Sequence, residues 1–147
     1  VAALVLSAAG LVSLVGYEGY RGEAYVPIPG DRPTLGFGTT EGVQMGDTTT
    51  PPAALGRALR DAGKFEGALR ECVRVPLHQH EYDVYVGFSY NVGALAFCGS
   101  TLVKKLNAGD YAGACNELAR WVYAQGRVVP GLVARRARER AQCLAPS

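Results

Sequence analysis

Glu18 is the first charged residue of the chain, after 17 uncharged ones, and Gly19 follows it where a helix would end. A carboxyl placed there is partly desolvated, and desolvation raises a carboxyl pKa, which suits a general acid. Taken alone the signal is weak, because a glutamate at a helix terminus is most often a surface group. Two more carboxylates, Glu23 and Asp31, lie in the glycine-rich stretch that follows; Asp31 forms a Gly-Asp turn and Thr34 opens the next extended run. Turn chemistry alone accounts for both. His78 and His80, with Glu81 and Asp83 nearby, have the residue types of a metal site. Their segment reads instead as the start of a helix with its polar face outward, and no metal is expected there.

Cys72, Cys98, Cys115 and Cys143 form an even set at wide spacings with no Cys-x-x-Cys pair. That pattern suits two disulfides in an oxidising compartment better than a metal site. Pairing Cys72 with Cys98 and Cys115 with Cys143 would tie neighbouring helices. The alternative is four buried free thiols.

The elements that must position these groups follow from punctuation. Val1 to Val15 is apolar except for Ser7, Gly10 and Ser13, and residues 1–17 carry no charge. The run is short for a membrane span, which needs roughly 20 apolar residues. It reads as a helix over 1–17, either buried in the domain or the remnant of an export segment. Residues 22–47 hold six glycines and three prolines around AYVPI and TLGF, a composition that predicts a small β-meander with tight turns.

After it the pattern is helical. Thr50 caps a helix over 51–72, with Pro51 or Pro52 in its first turn and Leu55, Leu59, Ala62, Phe65 and Leu69 on one face. Further helices are expected over 79–92, over 100–107 with Ser100 as cap, over 110–125 with Gly126 as stop, and from Pro130 onward. The layout is α+β: a helix, a small sheet, then a helical lobe, with a cleft between the lobes suited to an extended ligand.

A length of 147 residues, 48% hydrophobic and 19% charged, fits one compact domain and excludes intrinsic disorder. The net charge of +2 is too small for a nucleic-acid binder. Its excess is local: Arg135, Arg136, Arg138 and Arg140 stand against Glu139 alone between Pro130 and Ser147, a net +3 that leaves −1 for the rest. The simplest expectation is a solvated helix face.

EGYRGEAY (18–25), TLGFGTT (34–40), YNVG (90–93), STLVKKLNAGDYAGAC (100–115), ARWVYAQG (119–126) and VVPGLVARRARERAQCL (128–144) together resemble the phage-type lysozymes, the endolysins of glycoside hydrolase family 24. The resemblance runs from about Leu14 to Leu144. It implies a lysozyme-like fold over 18–147 and a muramidase that cuts the β-1,4 bond between N-acetylmuramic acid and N-acetylglucosamine in bacterial peptidoglycan. It implies no cofactor. The family's catalytic trio is Glu, then Asp or Cys after eight intervening residues, then Thr after five more. Glu18 matches the acid and Thr34 the threonine, but they stand sixteen positions apart where the family has fifteen, and the middle position falls on Pro27. The altered turn IPGDRP leaves Asp31 as the expected second carboxylate.

In that scheme Glu18 protonates the glycosidic oxygen, Asp31 deprotonates a water on the opposite face, and Thr34 holds that water. A lytic transglycosylase, forming 1,6-anhydro ends with Glu18 as sole acid/base, is the alternative that tolerates a displaced aspartate. A catalytically degenerate peptidoglycan-binding protein is the other. The resemblance gives Arg135 the role of steadying a nearby carboxylate. Asn91 is expected to hold backbone near the cleft or to cap its helix. Thr39 stands where many relatives have His, so a contact made by that His does not carry over. Trp121 and Tyr123 are expected in core and cleft wall. Some members are exported by a weakly hydrophobic signal-anchor that later leaves the bilayer. The resemblance therefore implies action in the periplasm or cell wall as a monomer, with transient inner-membrane association through the N-terminal segment.

Overall fold

The computed structural model describes residues 4–146. Helix α1 spans Ala8–Glu18, followed by strands β1 (Arg21–Tyr25) and β2 (Thr34–Gly36), then α2 (Pro51–Cys72), α3 (Gln79–Val92), α4 (Ala94–Cys98), α5 (Thr101–Asn107) and α6 (Tyr111–Glu117). A 3₁₀ turn (Leu118–Arg120), a short hairpin of β3 (Tyr123–Ala124) and β4 (Arg127–Val128), and α7 (Pro130–Cys143) complete the chain.

The β lobe is slight. Strands β1 and β2 pair antiparallel, Arg21 opposite Gly36 and Tyr25 opposite Thr34, with an irregularity between the two pairs. Single bridges join Leu35 to Thr39 and Glu23 to Thr48, so the expected meander is a hairpin extended by isolated pairings. Ala24, Leu35 and Val43 form its small core. The main core lies in the helical lobe, around α3, which packs against α1, α2, α4 and α7. Tyr82, Tyr85, Val86 and Phe88 of α3 meet Leu14, Leu69, Phe97, Leu102, Leu106 and Leu118 there.

Helix α2 connects the lobes, and its buried face differs from the expected stripe. Ala54, Ala58, Ala62, Glu66 and Leu69 point inward, whereas Leu55 and Leu59 are exposed. The small side chains permit a close approach by the hairpin. A Cβ on Gly36 would stand 2.9 Å from the Cβ of Ala54, and Gly36 also has φ +65°; both conditions favour glycine.

Three further expectations are corrected. The first helix starts at Ala8, because the Ser7 side chain caps it by accepting from the Gly10 N–H; residues 1–3 of the expected helix lie outside the described residues. The helix expected over 110–125 ends at Glu117, and Gly126 is a hairpin turn residue: Gln125 and Gly126 both have positive φ, which suits a two-residue turn between β3 and β4. Helix α4 was not anticipated, since its five residues are too few to show a period.

Residues 4–7 run extended into α1 along α2 and α3. The Leu6 N–H donates to Glu66 Oε1 at 2.7 Å and the Ser7 N–H to Asp83 Oδ1 at 3.0 Å, while the Ser7 hydroxyl also bonds Asp83. Gln79 donates to the Val5 carbonyl and Arg70 to the Leu4 carbonyl. Glu81 and Asp83 are therefore buried instead of facing outward. Among the described residues, no helix is long and apolar enough to cross a membrane, and no cluster of three metal-ligating side chains occurs. The cysteines pair as Cys72 with Cys98 and Cys115 with Cys143, at Cα separations of 5.6 and 5.7 Å.

Candidate active site

Glu18 is the last residue of α1, and Gly19, at φ +70°, ends the helix by donating to the Val15 carbonyl. The negative end of the helix dipole does not favour an anion there. Burial pushes the Glu18 carboxyl above its ordinary value, while Arg135 pulls the other way. Arg135 Nη1 donates to Glu18 Oε1 at 3.2 Å, and the side chain of Glu18 remains 19% exposed, enough for a proton to reach a ligand.

On its other side Glu18 meets the hairpin. A Cβ on Gly38 would lie 3.3 Å from Glu18 Oε2 and 3.8 Å from the ring of Tyr90, at φ +88°. Only a glycine lets the chain pass there without strain. Gly38 and Tyr90 also line a cavity of 260 Å³ together with Thr40, Glu41, Asp61, Lys64 and Phe65. Glu18 thus stands behind Gly38, beside a cleft that it does not itself line. The Tyr90 hydroxyl donates to the Phe37 carbonyl at 2.9 Å. Burial first, then the charges of Asp61 and Glu18, raises its phenol beyond the usual range, so it stays neutral.

Asp31 has different surroundings. It is exposed; its carboxylate accepts from the Arg32 N–H at 2.8 Å, and its own N–H donates to the Ile28 carbonyl. Thr34 is buried, and its hydroxyl donates to the Arg32 carbonyl at 3.1 Å. The two residues are therefore fastened to the N–H and to the carbonyl of Arg32. No hydrogen bond joins Asp31 to Glu18 or Arg135 among the described residues.

The remaining candidates divide. Arg135 reaches Glu18, as expected of it, but the solvated face expected for its helix is corrected: Arg135 and Arg136 are both buried. The Asn91 side-chain oxygen accepts from Arg136 Nη2. Thr39 makes a contact of its own, donating to Asp61 Oδ2 at 2.7 Å across the lobe junction. Trp121 packs edge-on against Phe88, whereas Tyr123 is exposed on the β3–β4 hairpin instead of in a wall. His78 precedes α3, its N–H donating to Glu81. Sequence reasoning missed Asp61, Tyr90 and Glu139. The i, i+4 and i, i+3 spacings of Arg135 and Arg136 to Glu139 were the available signal.

The phage lysozyme family model matches residues 15–139. The chain belongs to the phage lysozyme family. It is 39% identical over 140 residues to an endolysin of Acyrthosiphon pisum secondary endosymbiont phage 1, covering 92% of this chain and 95% of that one. It is 40% identical over 150 residues to a SAR-endolysin of Pseudomonas phage phiKMV, covering 99% and 91%. Among solved structures, the muramidase domain of SpmX from Asticaccaulis excentricus superposes with a TM-score of 0.90 at 29% identity, covering 97% of this chain and 99% of that domain. This lysozyme is accordingly an α+β glycoside hydrolase of the endolysin kind, and its substrate is bacterial peptidoglycan.

Proposed function

We propose that the chain hydrolyses the β-1,4 bond between N-acetylmuramic acid and N-acetylglucosamine, with Glu18 as general acid, Asp31 as base and Thr34 as the residue that holds the attacking water. The supporting observation is the setting of Glu18: a carboxyl raised by burial, partly exposed, beside a glycine that lines a cleft. In this reading Glu18 gives its proton to the glycosidic oxygen. Asp31, exposed and solvated, removes a proton from water on the opposite face of the sugar. The Thr34 hydroxyl spends its proton on the Arg32 carbonyl, which leaves its oxygen to accept from that water. No cofactor takes part.

The commitment of Asp31 to its turn favours a second reading. A transglycosylase needs one carboxyl to act as acid and then base, the sugar's own 6-hydroxyl being the nucleophile. Mass spectrometry of fragments released from purified peptidoglycan separates the readings. Reducing muramic acid ends are expected; products lighter by one water, with 1,6-anhydro ends, would replace hydrolysis by transglycosylation. Binding without release would leave a degenerate binding protein.

The SAR-endolysin relative supports action in the periplasm or cell wall, after transient attachment of the N-terminal segment to the inner membrane. The protein would act as a monomer, with residues 18–147 as its catalytic domain. Fractionation of cells expressing the full-length gene tests the attachment, and a wholly cytosolic protein would exclude it.

A further inference from the structure

Four charged side chains, Glu18, Arg135, Arg136 and Glu139, meet between α1 and α7. Glu139 is buried, and it touches both arginines: its Oε2 lies 3.5 Å from Arg135 Nε and its Oε1 pairs with Arg136 Nη1. Arg136 is anchored besides by Nε to the Trp121 carbonyl at 2.9 Å, by Nη2 to Asn91, and by stacking 4.8 Å over Phe88. Arg135 is shared between the two carboxylates, with Nη2 on the Gly87 carbonyl and its guanidinium 4.5 Å over the Tyr17 ring.

Two guanidiniums beside a general acid work against it, because positive charge favours the ionised carboxyl, which has no proton to give. A negative charge on the same side opposes them, and Glu139 is placed to supply it: burial raises its carboxyl, while Arg136 and then Arg135 favour its ionised form. Of the other groups near Glu18, the two tyrosines and the glycine supply no such charge. Tyr17 of α1 and Tyr90 of α3 are both raised by burial and stay neutral. Gly38 of the hairpin brings no charge. Asp61 of α2 bonds Thr39 and adds negative charge beyond Tyr90. The charge balance at Glu18 is therefore set largely from α7.

We propose that Glu139 is the positioning residue of the catalytic acid: it fixes the Arg135 guanidinium against Glu18 and offsets the positive charge that the acid would otherwise face. The proposal rests on Glu18 being the acid. Glu139 is buried, touches both arginines and lines no part of the 260 Å³ cleft, so it acts on the acid through Arg135.

The test is the pH dependence of kcat/KM on solubilised peptidoglycan glycan strands for E139Q, which keeps the shape and loses the charge. The limb on which activity falls with rising pH is expected to move down by about one pH unit, at the low end of what a neighbouring charge does, while KM stays within about twofold. R136Q removes a positive charge and is expected to move the same limb up. A merely structural role would weaken both variants without moving the limb in opposite directions. Circular dichroism establishes folding first. Where E139Q does not fold, E139D, which keeps the charge on a shorter arm and cannot span both arginines, is expected to show a smaller downward move. A wild-type limb in the folded Glu139 variant overturns the proposal. Retained activity in E18Q overturns the reading of the acid instead, so the two failures are distinguishable.

Discussion

The two carboxylates assigned to catalysis stand in opposite environments. Glu18 closes a helix, is mostly buried, faces an arginine and is flanked by a glycine that makes room for it. Asp31 is exposed on a turn and bonds the turn itself, at the Arg32 N–H and the Ile28 carbonyl. Burial raises the carboxyl of the first, against the pull of Arg135. In the proposed mechanism one residue class is acid or base according to where the chain puts it. The stronger setting is built by the helical lobe and its large core, the weaker by a hairpin whose own core is three residues.

The widest separation between these regions should appear on removing the acid. Glu18→Gln is expected to lower kcat on peptidoglycan by about 10³-fold, within the range for loss of a positioned proton donor. Turbidity loss of cell walls measures it, and normal lysis would erase the distinction. Next comes the support behind the acid. The Cys115–Cys143 bridge fastens the end of α7, which carries Arg135, and closes a 28-residue separation. Replacing both cysteines by serine is expected to cost about 3 kcal/mol in urea unfolding. Asp31→Ala is expected to lower turnover by about 10²-fold with unchanged stability. Near-normal turnover would sharpen the contrast to its limit, with one carboxyl working alone. The smallest effect is expected at the junction of the lobes: Thr39→Val removes the bond to Asp61 and should cost about 1 kcal/mol, read as a shift of the unfolding midpoint.

The same division explains what was legible in the sequence. Glu18 could be found because a lone charge after a long apolar run, ahead of a glycine, marks both a helix end and an unusual carboxyl. Helix α2 is bounded as expected, since Thr50 and Pro51 combine a cap with a residue that lacks an N–H. Gly126 misled because a helix stop and a hairpin turn ask the same residue for the same positive φ. Leu55 and Leu59 misled because the inward face of α2 is chosen by the close approach of Gly36, which calls for alanine, and no periodicity reports that. The burial of Arg135, Arg136 and Glu139 was hidden as well. Charges on a helix look solvated until the partner from α1, more than a hundred residues away, is known. The position of Asp31 depends on a loop of altered length, where family spacing no longer applies.

Ser7 both caps α1 and binds Asp83, and Glu18 stands eleven residues further along the same helix. At 100° per residue the two side chains come almost back into phase, roughly 16 Å apart along the axis. The docked start therefore clocks the helix, and the angle at which the acid emerges is dictated three turns upstream. One residue inserted between Ser7 and Glu18 would leave every local preference intact. It would nevertheless turn the carboxyl by about 100°, out of line with Arg135.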